Sequence, residues 1–377
     1  MLYYNGINMS RRINMVYLDN AATTKPCKET AAAVSNTMES CFGNASSLHK
    51  LGINAEIVIN SARKTLLSKL PEGDIYFTSG ATESNNTAIF GAAETYKRTG
   101  NKIITTAIEH PSVANPINKL EEKGFEVIRL SPKDYDDFEQ AIADAVDDKT
   151  LLVSCMAVNN ETGFIVDVKR LYRLVKRKNE KTIVHIDAVQ GFLKVPLDGD
   201  FISISGHKIH ASKGIGALFV KKGIRFSPLL LGGGQQKKLR SGTEPVELIA
   251  GLEAAVKAYH GSAEKFTELK VHLISQLNEI DGITLNSDNK CVPNIINFSI
   301  KGVRSEIMLH SLEEQQIYVS SGSACSKGKT SGVLAAFGIS DSDADSAIRV
   351  SLCADTTKEE LDTLVTHIKK GIERFRR

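Results

Sequence analysis

The chain of 377 residues has no tryptophan and only nine prolines, and none of its apolar runs is long enough to span a membrane. A membrane-crossing helix needs about 18–20 consecutive apolar residues. Charge is close to balanced. The 47 basic side chains exceed the 44 acidic ones by a formal +3, which gives no general electrostatic case for nucleic acid as the main ligand. There is no CxxC pair, and no cysteine stands at metal-ligand spacing from a histidine. Six cysteines (Cys27, Cys41, Cys155, Cys291, Cys325 and Cys353) are scattered along the chain. That spread reads as reduced thiols of a cytoplasmic protein, most of them acting as small buried hydrophobes. The opening MLYYNGINMSRRINM carries two arginines with no apolar stretch behind them, so it makes a poor signal peptide. It reads as an N-terminal extension over 1–14, with Met9 and Met15 as alternative starts.

What is present is alternation. From Lys28 to about Gly261, strand-like runs such as DIYFTS, KIITTAI, FEVIRLS, TLLVSCMAV and TIVHIDAV take turns with helical ones. The helices are expected from about Glu83 to Arg98, after Pro111, over DDFEQAIADAV and over VKRLYRLVKRK. This predicts an α/β domain with a mainly parallel sheet under helices. After Gly261 the pattern changes to a long amphipathic helix from about Glu264 to Ile280, the run NIINFSI, a helix from Ser305, IYVSSGSAC and a closing helix. A smaller α+β domain follows from this, built from 262–377 with 15–27, beside a large domain over 28–261.

Polar residues cluster where the strands end. Thr78 to Ser84, Glu109-His110-Pro111-Ser112, Asn159 to Gly163, Asp187 to Gln190, and Gly206-His207-Lys208 each follow a strand. Taken singly, each reads as a turn or a helix cap. Taken together they stand at the strand ends, where an α/β sheet gathers its ligand. A lysine that can form a Schiff base, a carboxylate for a protonated pyridine nitrogen, an imidazole to stack and a helix N-terminus with hydroxyls for a phosphate describe pyridoxal phosphate. Lys213 reads as a solvated or supporting charge. Gln235 to Arg240 reads as a basic loop near a neighbouring subunit's phosphate, with no direct nucleic-acid role.

The stretches YLDNAATT, FTSGATESNN, EHPSV, VNNETG, HIDAVQ, SGHKIHASKGIGAL, RSGTEPV, SSGSAC and IRVSL, in that order, resemble the cysteine desulfurases of the class V aminotransferase superfamily. The resemblance implies a pyridoxal-phosphate transferase of fold type I with a seven-stranded sheet. It also implies L-cysteine as substrate and L-alanine as product, with sulfur left as a persulfide on Cys325. By the same resemblance, Lys208 bonds the cofactor, Asp187 pairs with its ring nitrogen, and His110 stacks on the ring and acts in acid–base steps. Gln190 and Asn160 lie near its phenolic oxygen, and Asn160 also faces the substrate. Ala81, Thr82, Ser205 and His207 bind its phosphate, and Thr243 reaches the phosphate of the partner in a homodimer. Asn44 and Arg349 clamp the substrate carboxylate. Cys325, in SSGSACSKGKTSG, reads as a thiol on a mobile basic loop, its thiolate favoured by the nearby lysines. A sulfur acceptor is implied, either an iron–sulfur scaffold or a tRNA-thiolation enzyme, and a selenocysteine lyase or another lyase of the superfamily is the rival. Two departures stand out. Ala45 occupies the usual proline position of FGNPSS, and the loop after Cys325 is about two residues shorter than in the best-known members.

Overall fold

The computed structural model describes residues 15–321 and 332–376. In chain order the strands among them are β1 (Val16–Tyr17), β2 (Gly73–Thr78), β3 (Lys102–Thr106), β4 (Glu126–Leu130), β5 (Thr150–Met156), β6 (Ile183–Asp187), β7 (Phe201–Ser205), β8 (Gly216–Lys221), β9 (Ile283–Leu285), β10 (Ile295–Ile300), β11 (Ile317–Tyr318), β12 (Ser320–Ser321) and β13 (Ala347–Ser351). Seven of them form one sheet in the order β2-β8-β7-β6-β5-β3-β4. The pairings from β4 across to β7 are parallel. β8 runs antiparallel to both β7 and β2. Strands β3, β5, β6 and β7 are buried along their whole length, as parallel strands covered on both faces must be.

The covering helices follow from apolar spacing. In Val168–Lys178 the buried residues are Val168, Leu171 and Val175, one stripe at helical period, and three basic residues stand in the last turn. Two starts differ from the sequence expectation. The helix expected from Glu83 begins at Ala81 and ends at Tyr96, because Gly80 frees the chain to turn directly out of β2. The helix expected over Glu264–Ile280 is Ala263–Leu277, with the Ser262 side chain accepting from the Lys265 N–H as its cap.

A second sheet, β12-β13-β10-β9, is antiparallel throughout. It packs with the helices Ala263–Leu277, Ser305–Glu313 and Lys358–Phe375 around its own core, which includes Phe266, Leu273, Phe298, Leu312 and Ile368. β1 pairs in parallel with β11, and Leu18 joins that core. The following residues, Asp19 to Thr24, therefore run between the second core and the ends of the central strands.

The stretch expected to be a basic loop contains a short 3-10 turn, Gln235–Lys238, in which Gln236, Lys237 and Lys238 all have positive φ. The reason lies at the sheet edge. The buried Gln236 amide accepts from the Phe77 N–H at 2.6 Å and donates to the Phe77 carbonyl at 2.8 Å. It thereby completes the open edge of β2 as a neighbouring strand would.

His185 lies at the middle of β6, fully buried, with Nδ1 2.8 Å from Ser154 Oγ and Nε2 3.0 Å from Ser203 Oγ. Burial pushes its pKa down to about 3. Folding thus favours the neutral ring. Its stabilising contribution is complete above the ordinary value near 6.5 and is lost as pH falls towards the folded value. At about pH 4.5 the wild type is expected to have lost about 3 kcal/mol from this residue. Urea unfolding at neutral pH and at about pH 4.5 checks this. His185→Gln should show a pH dependence shallower by that amount, and an equal slope would refute it.

Candidate active site

Lys208 lies in the 3-10 turn Gly206–Lys208 that follows β7. Its Nζ donates to the Ala21 carbonyl at 2.6 Å and to the Ala22 carbonyl at 2.7 Å. The same segment anchors the turn itself. Thr24 donates from both N–H and Oγ1 to the His207 carbonyl, and His207 Nδ1 lies 3.2 Å from Thr23 Oγ1. Burial pushes the His207 pKa down to about 4, so its ring is neutral at physiological pH. Gln190, on the turn after β6, donates from Nε2 to the Ala21 carbonyl at 2.8 Å, and its Oε1 accepts from Lys194 Nζ at 3.4 Å.

Asp187 ends β6 and is buried. Its Oδ1 accepts from the Val189 N–H at 3.0 Å, and its Oδ2 accepts from Asn85 Nδ2 at 2.9 Å. Burial raises its pKa, and these hydrogen bonds and the charges of His110 and Lys208 oppose the rise. Asn85 Nδ2 also donates to Ser112 Oγ at 2.9 Å, and Ser112 Oγ lies 2.8 Å from His110 Nδ1. Burial lowers the His110 pKa, with Asp187 pulling the other way. Next to it, Glu109 is buried beneath the site and its carboxyl is pushed up to about 8 by that burial. It accepts from Thr106 Oγ1 at 2.5 Å and from the Met156 N–H at 3.0 Å.

The helix Ala81–Tyr96 opens at Gly80, with φ 155° and ψ 177°. That conformation belongs to glycine. No side chain caps the helix start, and a Cβ on Gly80 would meet nothing within 4 Å. The N–H groups of the first turn, including Ala81 and Thr82, thus face open space with the positive end of the helix dipole. Glu83 is turned away from that space. It accepts from the Ser79 N–H and forms a two-point ion pair with Arg240, at 2.8 and 3.1 Å. Ser205 is buried at the end of β7 with no side-chain cap bond of its own.

Arg349, on β13, is buried. Its Nη2 pairs with Asp19 Oδ1 at 2.7 Å, its Nη1 donates to the Asn160 carbonyl at 3.0 Å, and its Nε has no hydrogen-bond partner among the described residues. Asn160 therefore sits beside Arg349. Asn159 instead braces its own turn, accepting from the Glu161 and Thr162 N–H groups. Asn44 is placed differently. It is exposed in the turn before the helix Lys50–Leu67, its Oδ1 accepts from the Ser46 N–H, and no hydrogen bond among the described residues joins it to Arg349. Thr243 is exposed on the loop after Gly242, and Lys213 is exposed as expected. Cys325 lies outside the described residues.

Comparison with known proteins shows the family. The Aminotransferase class-V family model matches residues 16–364. A NifS/IcsS protein homolog of Lactobacillus delbrueckii subsp. bulgaricus is 38% identical over 96% of this chain and 98% of its own length. The cysteine desulfurase IscS of Salmonella arizonae is 38% identical over 96% of this chain and 93% of its own. Among solved structures, a NifS-like protein superimposes with a TM-score of 0.87 at 34% identity, covering 96% of this chain and all of that one. The chain belongs to the class-V aminotransferase family, among the NifS/IscS cysteine desulfurases.

Desulfurases of this family use pyridoxal 5'-phosphate, and the residues present fit it. The uncapped helix start, with room above Gly80, suits a phosphate. The buried carboxyl of Asp187, raised by desolvation, suits a cationic ring nitrogen. Lys208, close enough to Asp187 for their charges to interact, is held by backbone carbonyls. Sequence reasoning assigned no role to Asn85, Ser112, Asp19 or the Ala21 and Ala22 carbonyls, although all lie in stretches it singled out. For Asn85 a signal existed. With Ala88, Ile89 and Ala92 it falls on the buried stripe of its helix, where an amide has to find partners.

Proposed function

We propose that this desulfurase removes sulfur from L-cysteine, releasing L-alanine and leaving a persulfide on Cys325. The observation that supports the reading is a linked set of contacts: Asn85 of the uncapped helix bonds Asp187, Asp187 interacts with His110 and Lys208, and Arg349 pairs with Asp19 in the segment whose Ala21 and Ala22 carbonyls hold Lys208. When bound, pyridoxal phosphate supplies an electron sink for negative charge at the substrate Cα. Asp187, steadied by Asn85 and Val189, would keep the ring nitrogen protonated. Ala81, Thr82, Ser205 and His207 would hold the phosphate, with Thr243 of a second copy. Gln190 and Asn160 would serve the ring oxygen. The Lys208 amine takes the Cα proton, and Arg349 fixes the carboxylate with the Nε–H that is otherwise unpaired. The Cys325 thiolate then attacks the substrate sulfur. An S–S bond forms as the C–S bond breaks, the electron pair stays with the carbon fragment, and protonation gives alanine. The deciding experiment is incubation of the protein with L-cysteine and assay of both alanine and a persulfide on Cys325. Alanine without a persulfide would overturn the reading.

Arg349→Ala should lower kcat/KM about 100-fold, mostly through KM, because a buried charged hydrogen-bond pair to a carboxylate is removed. An unchanged value would take Arg349 out of the clamp. Asn44 joins the clamp when substrate or a second copy moves its turn towards Arg349.

Several broader assignments belong to the same proposal. The chain forms a homodimer, supported by exposed apolar side chains on one segment, Met38, Phe42, Leu48, Leu51 and Ile57, of which Leu48 is 96% exposed. Sedimentation velocity giving a 41 kDa species alone would exclude this. The domain division is 28–261 against 15–27 with 262–377, supported by the separation of the seven-stranded sheet from the four-stranded sheet and the β1–β11 pair. The sulfur acceptor is an iron–sulfur scaffold or a tRNA-thiolation enzyme. The cytoplasm is the assigned compartment, supported by five unpaired cysteines among the described residues.

A further inference from the structure

Asn85 is fully buried in the second turn of the helix Ala81–Tyr96. A primary amide has two N–H donors, and here both are committed, one to Asp187 Oδ2 and one to Ser112 Oγ, each at 2.9 Å. The orientation is forced. An ionised carboxylate only accepts, so the amide must turn its nitrogen towards Asp187. Its Oδ1 is left buried with no hydrogen-bond partner among the described residues. Because Ser112 Oγ accepts from Asn85, its own proton is directed elsewhere, and His110 Nδ1 lies 2.8 Å away. The Ser112 backbone N–H reaches the same nitrogen at 3.1 Å. Two donors converge on Nδ1, so that atom cannot carry a proton.

We infer that Asn85 and Ser112 are positioning residues that fix His110 as the neutral tautomer with its proton on Nε2. In the site, His110 is then a hydrogen-bond donor through Nε2. It cannot serve as a base, since its one lone pair is taken up by Ser112, and abstraction of the substrate proton falls to Lys208 alone. The charged groups facing His110 are Asp187, from the end of β6, and Lys208, from the turn after β7. Glu109 adjoins it in sequence but turns its carboxyl to Thr106 and Met156.

This inference rests on the placement of His110 and Asp187 in the cofactor site. It is tested by solid-state nitrogen NMR of the resting holoenzyme carrying 15N-labelled histidine, without substrate, with His110 assigned through His110→Gln. The expected spectrum shows Nε2 protonated and Nδ1 bare near neutral pH. Asn85→Leu frees the Ser112 hydroxyl to rotate, so Nδ1 loses a donor that favours the neutral ring. The pH of ring protonation should rise by about one unit and kcat/KM should fall about tenfold. Ser112→Ala should shift it in the same direction, and Ser112→Thr should restore the wild-type value. A proton on Nδ1 in the wild type would overturn the inference, as would an unmoved protonation pH in both Asn85→Leu and Ser112→Ala. Should Asn85→Leu fail to fold, the wild-type spectrum and Ser112→Ala still decide. A failure to make alanine would instead count against the desulfurase reading and leave the tautomer where the spectrum puts it.

Discussion

Lys208→Ala is expected to abolish turnover, with alanine release falling by at least about 10⁴-fold, the upper end of what one positioned acid–base group supplies. It should also remove the visible absorption of the covalently held cofactor. The argument is positional. Two backbone carbonyls, of Ala21 and Ala22, converge on Nζ at 2.6 and 2.7 Å, and Asp187 and His110 are near enough to interact with its charge. A second amine is close by. Lys194 lines the same small cavity as Lys208 and is bonded to Gln190, which in turn holds the Ala21 carbonyl. Lys194→Ala should therefore keep the absorption band. If the band survived in Lys208→Ala and vanished only when Lys194 was also removed, the covalent role would belong to Lys194.

What the sequence made legible, and what it hid, divides along physical lines. Local periodicity was legible. The buried stripe of Val168, Leu171 and Val175 sets its helix, and the mostly apolar runs of β5 and β6 announce a covered parallel sheet. The antiparallel run of β8 was not, because a buried strand carries the same apolar run in either direction. The pairing of β1 with β11 was hidden for another reason, since about 300 residues separate Val16 from Ile317 and no local signal crosses that distance. In the site, residues whose chemistry is rare in a core, Lys208, Asp187 and His110, were visible by type and by place after a strand. Asn85 and Ser112 were hidden because amides and hydroxyls near a helix start ordinarily serve as caps. Only the three-dimensional chain of hydrogen bonds separates a relay from a cap.

Cys325→Ser should bind L-cysteine with little change in affinity yet release alanine at a rate lower by about 10³-fold or more, because a neutral hydroxyl replaces a thiolate as nucleophile. Mass spectrometry should find no persulfide. The chain on either side makes the reach feasible. Ser320 of β12 pairs with Arg349 of β13, so the chain passes the proposed carboxylate clamp just before Cys325. Cys325 follows Ser321 by four positions, a span of at most about 14 Å. The other cysteines are poorer candidates. Cys155 is buried with its pKa raised by that burial, and burial pushes Cys291 up to about 12. Cys353 is the serious rival by position, since it lines the small cavity that also contains Lys208. Its sulfur accepts from Thr356 Oγ1 at 3.7 Å, in a turn where the same hydroxyl accepts from the Cys353 N–H, which ties it to its own loop. Cys353→Ser should accordingly keep at least about half of wild-type turnover, since it removes no group that touches the substrate. If Cys353→Ser abolished the persulfide while Cys325→Ser retained it, the nucleophile would be Cys353, and sulfur would be delivered from inside the fold.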